Sequence, residues 1–365
     1  MTTHNPDNER IKRQYFAYLK DAKRQSVTTI DAVAMALSRF EADTRHRSFK
    51  SFHIQQAIAF KEHMANRESQ VTGGKMSKAT LHATLAHLKR FFQWLAGQPG
   101  YKSRIRYSDA EYFNLSDKDA RVATASHQKP FPTLEQVKRV IELMPCTSDI
   151  EKRNRALIAF IILTGARDSA VASMRLKHID LVSGSVHQDA REVHTKFSKT
   201  FITYFFPVGD EIRQILTEWV TYLRDTALWG NDDPLFPATR MALGASLKFE
   251  AAGLSRTAWK TAAPIREIFR DAFREAGLPY FNPHSFRKTL VQLGERICKN
   301  AEDFKAWSQN LGHEGVLTTF YSYGEVRTER QAEIIRGLAA PRPDHAEVAK
   351  RFQELANDFA RLQST

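Results

Sequence analysis

Apolar residues recur at three- and four-residue intervals over most of this chain, and the period changes only between residues 178 and 208. In 9–23, Ile11, Tyr15, Tyr18 and Leu19 share a face amid many Lys and Arg. Ile30, Val33, Ala34 and Leu37 do the same in 28–40, and a third helix is predicted over 52–64. After a polar loop at 70–75, Ser77 is placed to cap the longest helix of this half, carrying Leu81, Leu85, Leu88, Phe91, Phe92 and Leu95. Residues 1–120 read as an all-α bundle of four or five helices. Residues 121–132 lose the period, hold two prolines and read as an interdomain linker, long enough to let two halves close around something.

The second half opens with Thr133 as N-cap of a helix over 135–144. Residues 154–163 are apolar almost all round, so that helix is predicted to be central and buried. Thr164-Gly-Ala-Arg167 breaks it, and 168–176 resumes as helix. Between 178 and 208, Ser183-Gly184 is a turn, a strand begins at Val186, and 193–197 with 201–208 reads as a hairpin around Ser198-Lys-Thr200. Helices return over 210–223, 258–275, from Asn282, over 303–311 and over 316–321. Beyond Pro341 and Pro343, 344–362 is a separate amphipathic helix. The expected fold is mainly α with a small antiparallel β-sheet: a helical domain at 1–120, a linker at 121–132, a mixed α+β domain at 133–340 and a tail at 341–365.

With 365 residues, two domains are expected. The formal net charge of +13 calls for a polyanionic partner, nucleic acid or an anionic membrane surface. Membrane is the weaker choice: the longest apolar run, 156–163, is too short to span a bilayer, and the polar start of the chain is unlike a signal peptide. Cys146 and Cys298 have no metal-ligand spacing and fit buried thiols in a reducing compartment. The sequence holds no Walker loop, no GxGxxG and no acidic metal cluster, so its chemistry is expected to need neither nucleotide nor metal cofactor.

Five stretches carry candidate chemistry. Asn282-Pro-His-Ser-Phe-Arg-Lys-Thr289 opens a helix with Asn282 as N-cap and Pro283 in the first position. His284 and Arg287, three apart, place a proton-transfer group beside a bidentate phosphate binder where an anion is already favoured. Leu290, Leu293 and Ile297 continue the helix as its core stripe. Arg167 follows a Gly break at the mouth of the buried helix, with Asp168 or Asp180 as an alternative structural partner. Of the hairpin lysines, Lys196 is expected on the strand and Lys199 in the turn, so Lys196 is the better-fixed proton donor. In Asn310-Leu-Gly-His313, Gly312 should end a helix in left-handed conformation and let His313 project. Thr318-Thr-Phe-Tyr-Ser-Tyr-Gly324 brings two tyrosines near a helix end.

These five motifs, in this order and at these separations, resemble the tyrosine recombinase (phage integrase) family over about residues 133–336. The resemblance implies site-specific DNA cleavage and rejoining without a cofactor. A tyrosine attacks a phosphodiester, a 3′-phosphotyrosyl link keeps the bond energy, and a 5′-hydroxyl from another duplex reverses the step. Arg167 and Arg287 would clamp the non-bridging oxygens, His313 would donate to one of them, Lys196 would protonate the leaving 5′-oxygen, and His284 would serve the nucleophile. The family's nucleophile lies nine residues after the Leu-Gly-His histidine, which here is Ser322; Tyr323, with the Tyr-Gly ending, is the expected nucleophile and Tyr321 the alternative. Ala170 stands where the family usually has an acidic residue.

The resemblance further implies double-stranded DNA sites as partner, a monomer when free, a homo-tetramer on paired sites, possible accessory directionality factors, and a cytoplasmic, nucleoid-associated location. Arg45, Arg47, Lys75, Ser77, Lys78, Thr80, Lys89, Arg90 and Lys199 are the expected DNA contacts, mostly to phosphates. The helical half, 1–120, resembles the family's core-binding (SAM-like) DNA-binding domain, and the two halves would form a clamp on the duplex. The competing readings are type IB topoisomerase-like relaxation and a catalytically silent DNA-binding regulator.

Overall fold

The computed structural model describes residues 4–67, 74–125, 130–195, 198–243 and 248–313. The chain divides into two compact units, Met1–Ser126 and His127–Thr365. As expected, helices dominate and the sheets are small and antiparallel. Among the described residues no helix is long and apolar enough to cross a membrane.

The first unit contains α1 (Pro6–Ala17), which runs on into a π-helical turn at Tyr18–Ala22, then α2 (Val27–Asp43), α3 (Ile54–Asn66), α4 (Lys78–Leu95) and α5 (Asp117–Thr124). Asn5, Ser26, Ser77 and Ser116 each accept a first-turn N–H, satisfying donors the helix leaves open. The apolar faces meet in an aromatic core: Phe52 stacks on Phe92 at 4.0 Å, and Phe40 meets Phe60, Phe92 and Phe113 edge-on. Helix α5 takes up residues 121–124, the start of the stretch read as linker. It buries no residue, so no apolar stripe announced it; its Ser116 cap and the Lys78–Asp119 ion pair at 2.7 Å hold it.

A polar network lies inside this unit. Asn8 Nδ2 donates to Glu41 Oε1 (3.1 Å) and to the Arg47 carbonyl (3.0 Å), while Asn8 Oδ1 accepts from Phe49 N (2.9 Å). Lys12 Nζ donates to Glu41 Oε2 at 2.6 Å and Glu9 Oε1 at 2.7 Å. This network fixes the turn after α2, where Arg45 and His46 both adopt left-handed φ (+54° and +55°) and Arg45 and Arg47 stand exposed.

The second unit is built on α7 (Asp149–Thr164), buried throughout its second half. A capping box between Ser148 and Glu151 starts it earlier than the apolar run alone predicted. Around it pack α6 (Leu134–Leu143), α8 (Asp168–Ser173), α9 (Asp210–Thr221), α10 (Ala263–Glu275), α11 (Phe286–Ile297) and α12 (Ala301–Asn310). Strands β1 (Ile179–Asp180), β2 (Ser185–Gln188) and β3 (Phe201–Tyr204) form one antiparallel sheet, with Ser185 opposite Tyr204 and Gln188 opposite Phe201.

The hairpin expected from 193–197 and 201–208 is therefore wrong: β3 pairs with β2, and 193–195 are not in a strand. Asp189 folds the intervening chain into a turn, accepting from Arg191 N, and Val193 is a single apolar plug in the core rather than one of an alternating series. Three smaller expectations also fail. Ile297 is 43% exposed, and the core face of α11 is Phe286, Leu290, Val291 and Gly294. Cys146 is exposed, not buried. Helix α10 begins at Ala263, where Pro264 suits its first turn. A hairpin of β4 (Thr239–Leu243) and β5 (Phe249–Leu254) was not foreseen. It buries neither face fully and exposes Met241, Leu243 and Phe249, so no alternation marks it. Buried Arg153 anchors its base, donating to the Pro237 carbonyl and to Thr239 Oγ1 (3.1 Å) beneath Trp259.

Candidate active site

The site forms where α7, α11 and α12 end against one another. Gly165 caps α7 at φ +61°, and a Cβ there would lie 2.8 Å from Leu311 Cδ2 and 3.1 Å from Leu290 Cδ1. Both the backbone sign and the space demand glycine. The chain then turns outward through Ala166 to Arg167. Gly312 repeats the device after α12: its φ is +69°, and a Cβ would strike the Phe201 ring at 2.7 Å. It ends the helix as predicted, and His313 follows.

Arg287 rises from the first turn of α11. Asn282 caps the preceding turn by accepting from Ser285 N at 3.1 Å, and Pro283–Ser285 is a single 3-10 turn. The two residues expected side by side differ in depth: His284 is exposed at the mouth, whereas Arg287 is only 6% exposed. Arg287 Nη1 donates to the Gly165 carbonyl at 2.7 Å, and Nη2 donates to the Leu311 carbonyl at 2.7 Å and to His313 Nε2 at 2.7 Å. All three acceptors are neutral. Since Nε2 accepts, neutral His313 carries its proton on Nδ1 in this assignment.

Arg167 is half-buried at the head of α8. Among the described residues its guanidinium has no hydrogen-bond or ion-pair partner. Neither carboxylate considered for it pairs with it: Asp168 Oδ2 accepts from Arg266 Nε at 2.8 Å, and Asp180 caps the turn at Val182 and Ser183. Position 170, where the family usually has an acid, is a core alanine at 1% exposure.

The charges feel one another. Burial first, and then Arg167, pushes Arg287 down to about 9. Burial also lowers Arg167. His313 is pushed down to about 4 by burial, then by Arg287, Arg167, His284 and Lys199. His313 is thus neutral near pH 7, and an anion arriving here would relieve each of these shifts.

Asn310 fastens this corner to the sheet. Its side-chain amide accepts from Tyr204 N (2.7 Å) and donates to the Tyr204 carbonyl (2.9 Å), and its own carbonyl accepts from Thr203 Oγ1 (3.2 Å). The sequence displayed Asn310 inside the Leu-Gly-His motif but gave it no task. Lys199 is half-buried and lines a cleft of about 730 Å³ with Gly312 and His313. Expected as a DNA contact and as the less well fixed of the two hairpin lysines, it has its charge registered at His313. The preference for Lys196 rested on a strand at 193–197, whose described part is not strand. Lys196, Tyr321 and Tyr323 lie outside the described residues, as do the predicted helices at 316–321 and 344–362.

The expected DNA contacts of the first unit fall into two groups. Arg45, Arg47, Lys75 and Arg90 are exposed. Lys78 is held by Asp119 at 2.7 Å, Lys89 by Glu111 at 2.7 Å, and Ser77 already accepts from Thr80 N at 3.1 Å. Lys12, on the basic first helix, is committed to Glu41 and Glu9 inside the bundle.

Residues 131–330 match the model of the phage integrase family, more than half of the chain. The tyrosine recombinase XerC of Lactobacillus delbrueckii subsp. bulgaricus is 22% identical over 316 residues, 85% of this chain and 92% of that protein. XerC of Halalkalibacterium halodurans is 24% identical over 341 residues, 90% of this chain and 97% of that protein. Among solved structures, the fold is similar to that of a lambda integrase dimer bound to a COC′ core site, with a TM-score of 0.59 at 12% identity over 88% of this chain and 96% of that one. It is also similar to that of the XerH site-specific recombinase bound to palindromic difH substrate, with a TM-score of 0.56 at 20% identity over 89% of this chain and 83% of that one. On the family match and this fold, the chain belongs to the phage integrase family and is a tyrosine recombinase.

Proposed function

We propose that this site-specific recombinase seats the scissile DNA phosphate between Arg167 and Arg287 and attacks it with Tyr323. The observation that carries the proposal is an Arg167 guanidinium without a partner among the described residues, beside a buried Arg287 whose partners there are all neutral. Two cations with no carboxylate between them make a receptor for an anion, and most useful for one whose charge grows in the transition state.

In the first transesterification the Tyr323 oxygen bonds to phosphorus and the bond to the 5′-oxygen breaks. The phenolic proton passes to His284, exposed at the mouth of the site. A lysine returns a proton to the departing 5′-oxygen. Lys196 is the first candidate for that lysine, and Lys199 is the second because its charge reaches His313. Neutral His313 donates from Nδ1 to a non-bridging oxygen while Arg287 holds Nε2. The 3′-phosphotyrosyl bond conserves the energy of the broken one, and a 5′-hydroxyl from the partner duplex then displaces the tyrosine.

Arg45, Arg47, Lys75 and Arg90 meet phosphates along the duplex, which makes binding weaken steeply with salt. Exchange runs in a homo-tetramer on paired sites, assembled from monomers on the nucleoid. The test is covalent capture on a nicked duplex carrying the recombination site. Tyr323→Phe is expected to abolish the protein–DNA adduct and Tyr321→Phe to keep it; the opposite result moves the nucleophile to Tyr321.

A further inference from the structure

Arg167, Asp168, Arg266, Asn282, Pro283 and His284 line a cleft of about 340 Å³ beside the site. Arg266 is an exposed residue in the first turn of α10, at the edge of the face that buries Ile265, Phe269 and Phe273. Its side chain is 56% exposed, and it reaches Asp168, which is 22% exposed, with Nε on Oδ2 at 2.8 Å. Only Nε is used in this contact, so the two Nη groups keep their donors for another acceptor. A carboxylate next to Arg167 would repel any phosphate bound there, and the pairing with Arg266 cancels that charge in the free protein.

We infer that Arg266 is a further phosphate-binding residue of this enzyme, gripping a backbone phosphate neighbouring the scissile one, with Asp168 as its counter-ion in the free protein. The inference rests on the strand-exchange reading for its ligand, a DNA strand passing Arg167. The carboxylate takes Nε and leaves the two Nη groups of this cleft-lining guanidinium, a fork suited to phosphate oxygens. One side chain thereby extends the scissile pocket along the strand. Asp168 serves as the resting counter-ion of a cation rather than as an acid.

The bland alternative is a strut that ties α8 to α10. The two accounts part because Arg266→Ala and Asp168→Asn break the same ion pair. A strut predicts equal consequences. A phosphate subsite predicts that only Arg266→Ala loses a DNA contact. The measurement is the salt dependence of full-length protein binding to a mixed-sequence 30-base-pair duplex. Arg266→Ala should flatten the slope of log affinity against log salt by about 0.9, so that raising salt from 50 to 200 mM costs about threefold less affinity than in the wild type. Asp168→Asn should leave the slope unchanged, and Arg266→Lys should restore it. Arg274→Ala, two turns along α10 and paired with Asp271, removes the same formal charge as a control and should leave the slope alone. Equal slopes in wild type and Arg266→Ala, or equal changes in Arg266→Ala and Asp168→Asn, would overturn the subsite and leave the strand-exchange reading standing. Failure of the wild-type protein to form a covalent adduct on its nicked site would strike that reading instead.

Discussion

Four lysines of the helical unit and the two arginines of the candidate site obey opposite rules. In the helical unit Lys12, Lys50, Lys78 and Lys89 each hold a carboxylate, at 2.6 to 2.9 Å. In the second unit and among the described residues, Arg287 is almost fully buried yet donates only to carbonyls and an imidazole, and Arg167 has no partner. The site is therefore recognised by charge left uncompensated, not by the number of cations. Burying Arg287 without a counter-ion costs stability that a phosphate can return on binding.

The sharpest way to break this contrast is to remove one arginine at a time. Arg167→Ala should cut the rate of covalent adduct formation at least 10²–10³-fold, by analogy with loss of one transition-state donor, and leave thermal stability close to wild type. Arg287→Ala should cut the rate as deeply and also lower stability by about 3 kcal/mol, because the Gly165 and Leu311 carbonyls lose their donor in the interior. Equal stability losses in chemical denaturation would show that the two arginines are not divided in this way.

Next in size is the packing that brings the site together. Gly165→Ala forces a side chain into a left-handed position and against Leu311, and should cost roughly 1–3 kcal/mol, read as a lower denaturation midpoint. A neutral result would mean that α7 and α12 do not need this close approach.

A third pair contrasts the two kinds of cation within the helical unit. Lys12→Met leaves Glu41 buried and unpaired, so it should lower stability while the salt slope of DNA binding stays the same. Arg45→Ala should do the reverse, flattening the slope by about 0.9 with little change in stability.

The smallest effect concerns His313. Its folded-state value of about 4 lies below the ordinary 6.5, so the unfolded chain takes up the proton first as pH falls. Stability should fall between about pH 6.5 and pH 4, by on the order of 1–2 kcal/mol after allowing for screening of a half-buried ring, and His313→Gln should remove that part of the loss. A loss unchanged by the substitution would assign it to other groups.

Helices that bury a stripe were legible in the sequence, and so were the motifs whose spacing fixes a cap or a break. Ser77, Thr133, Asn282 and Gly312 sit as the residue types dictated. Elements without a buried face were not legible: α5 buries nothing, and β4 and β5 leave their apolar residues in solvent. The strand pairing was misread because Val193 looks like strand alternation but is one plug behind the Asp189 turn. The sequence named Arg167, His284, Arg287 and His313 but not their depths. Burial of Arg287 and exposure of His284 depend on how α7 and α12 close over the first turn of α11, which no local pattern records.

The most direct test of the uncompensated-charge account replaces the scissile phosphate by a methylphosphonate, which removes the anionic oxygen the arginines are held to need. Adduct formation by Arg167→Ala on a nicked site should be nearly absent with the phosphate and recover substantially with the neutral methylphosphonate. If the variant stays equally inactive on both, Arg167 does something other than neutralise phosphate charge, and the central claim is wrong.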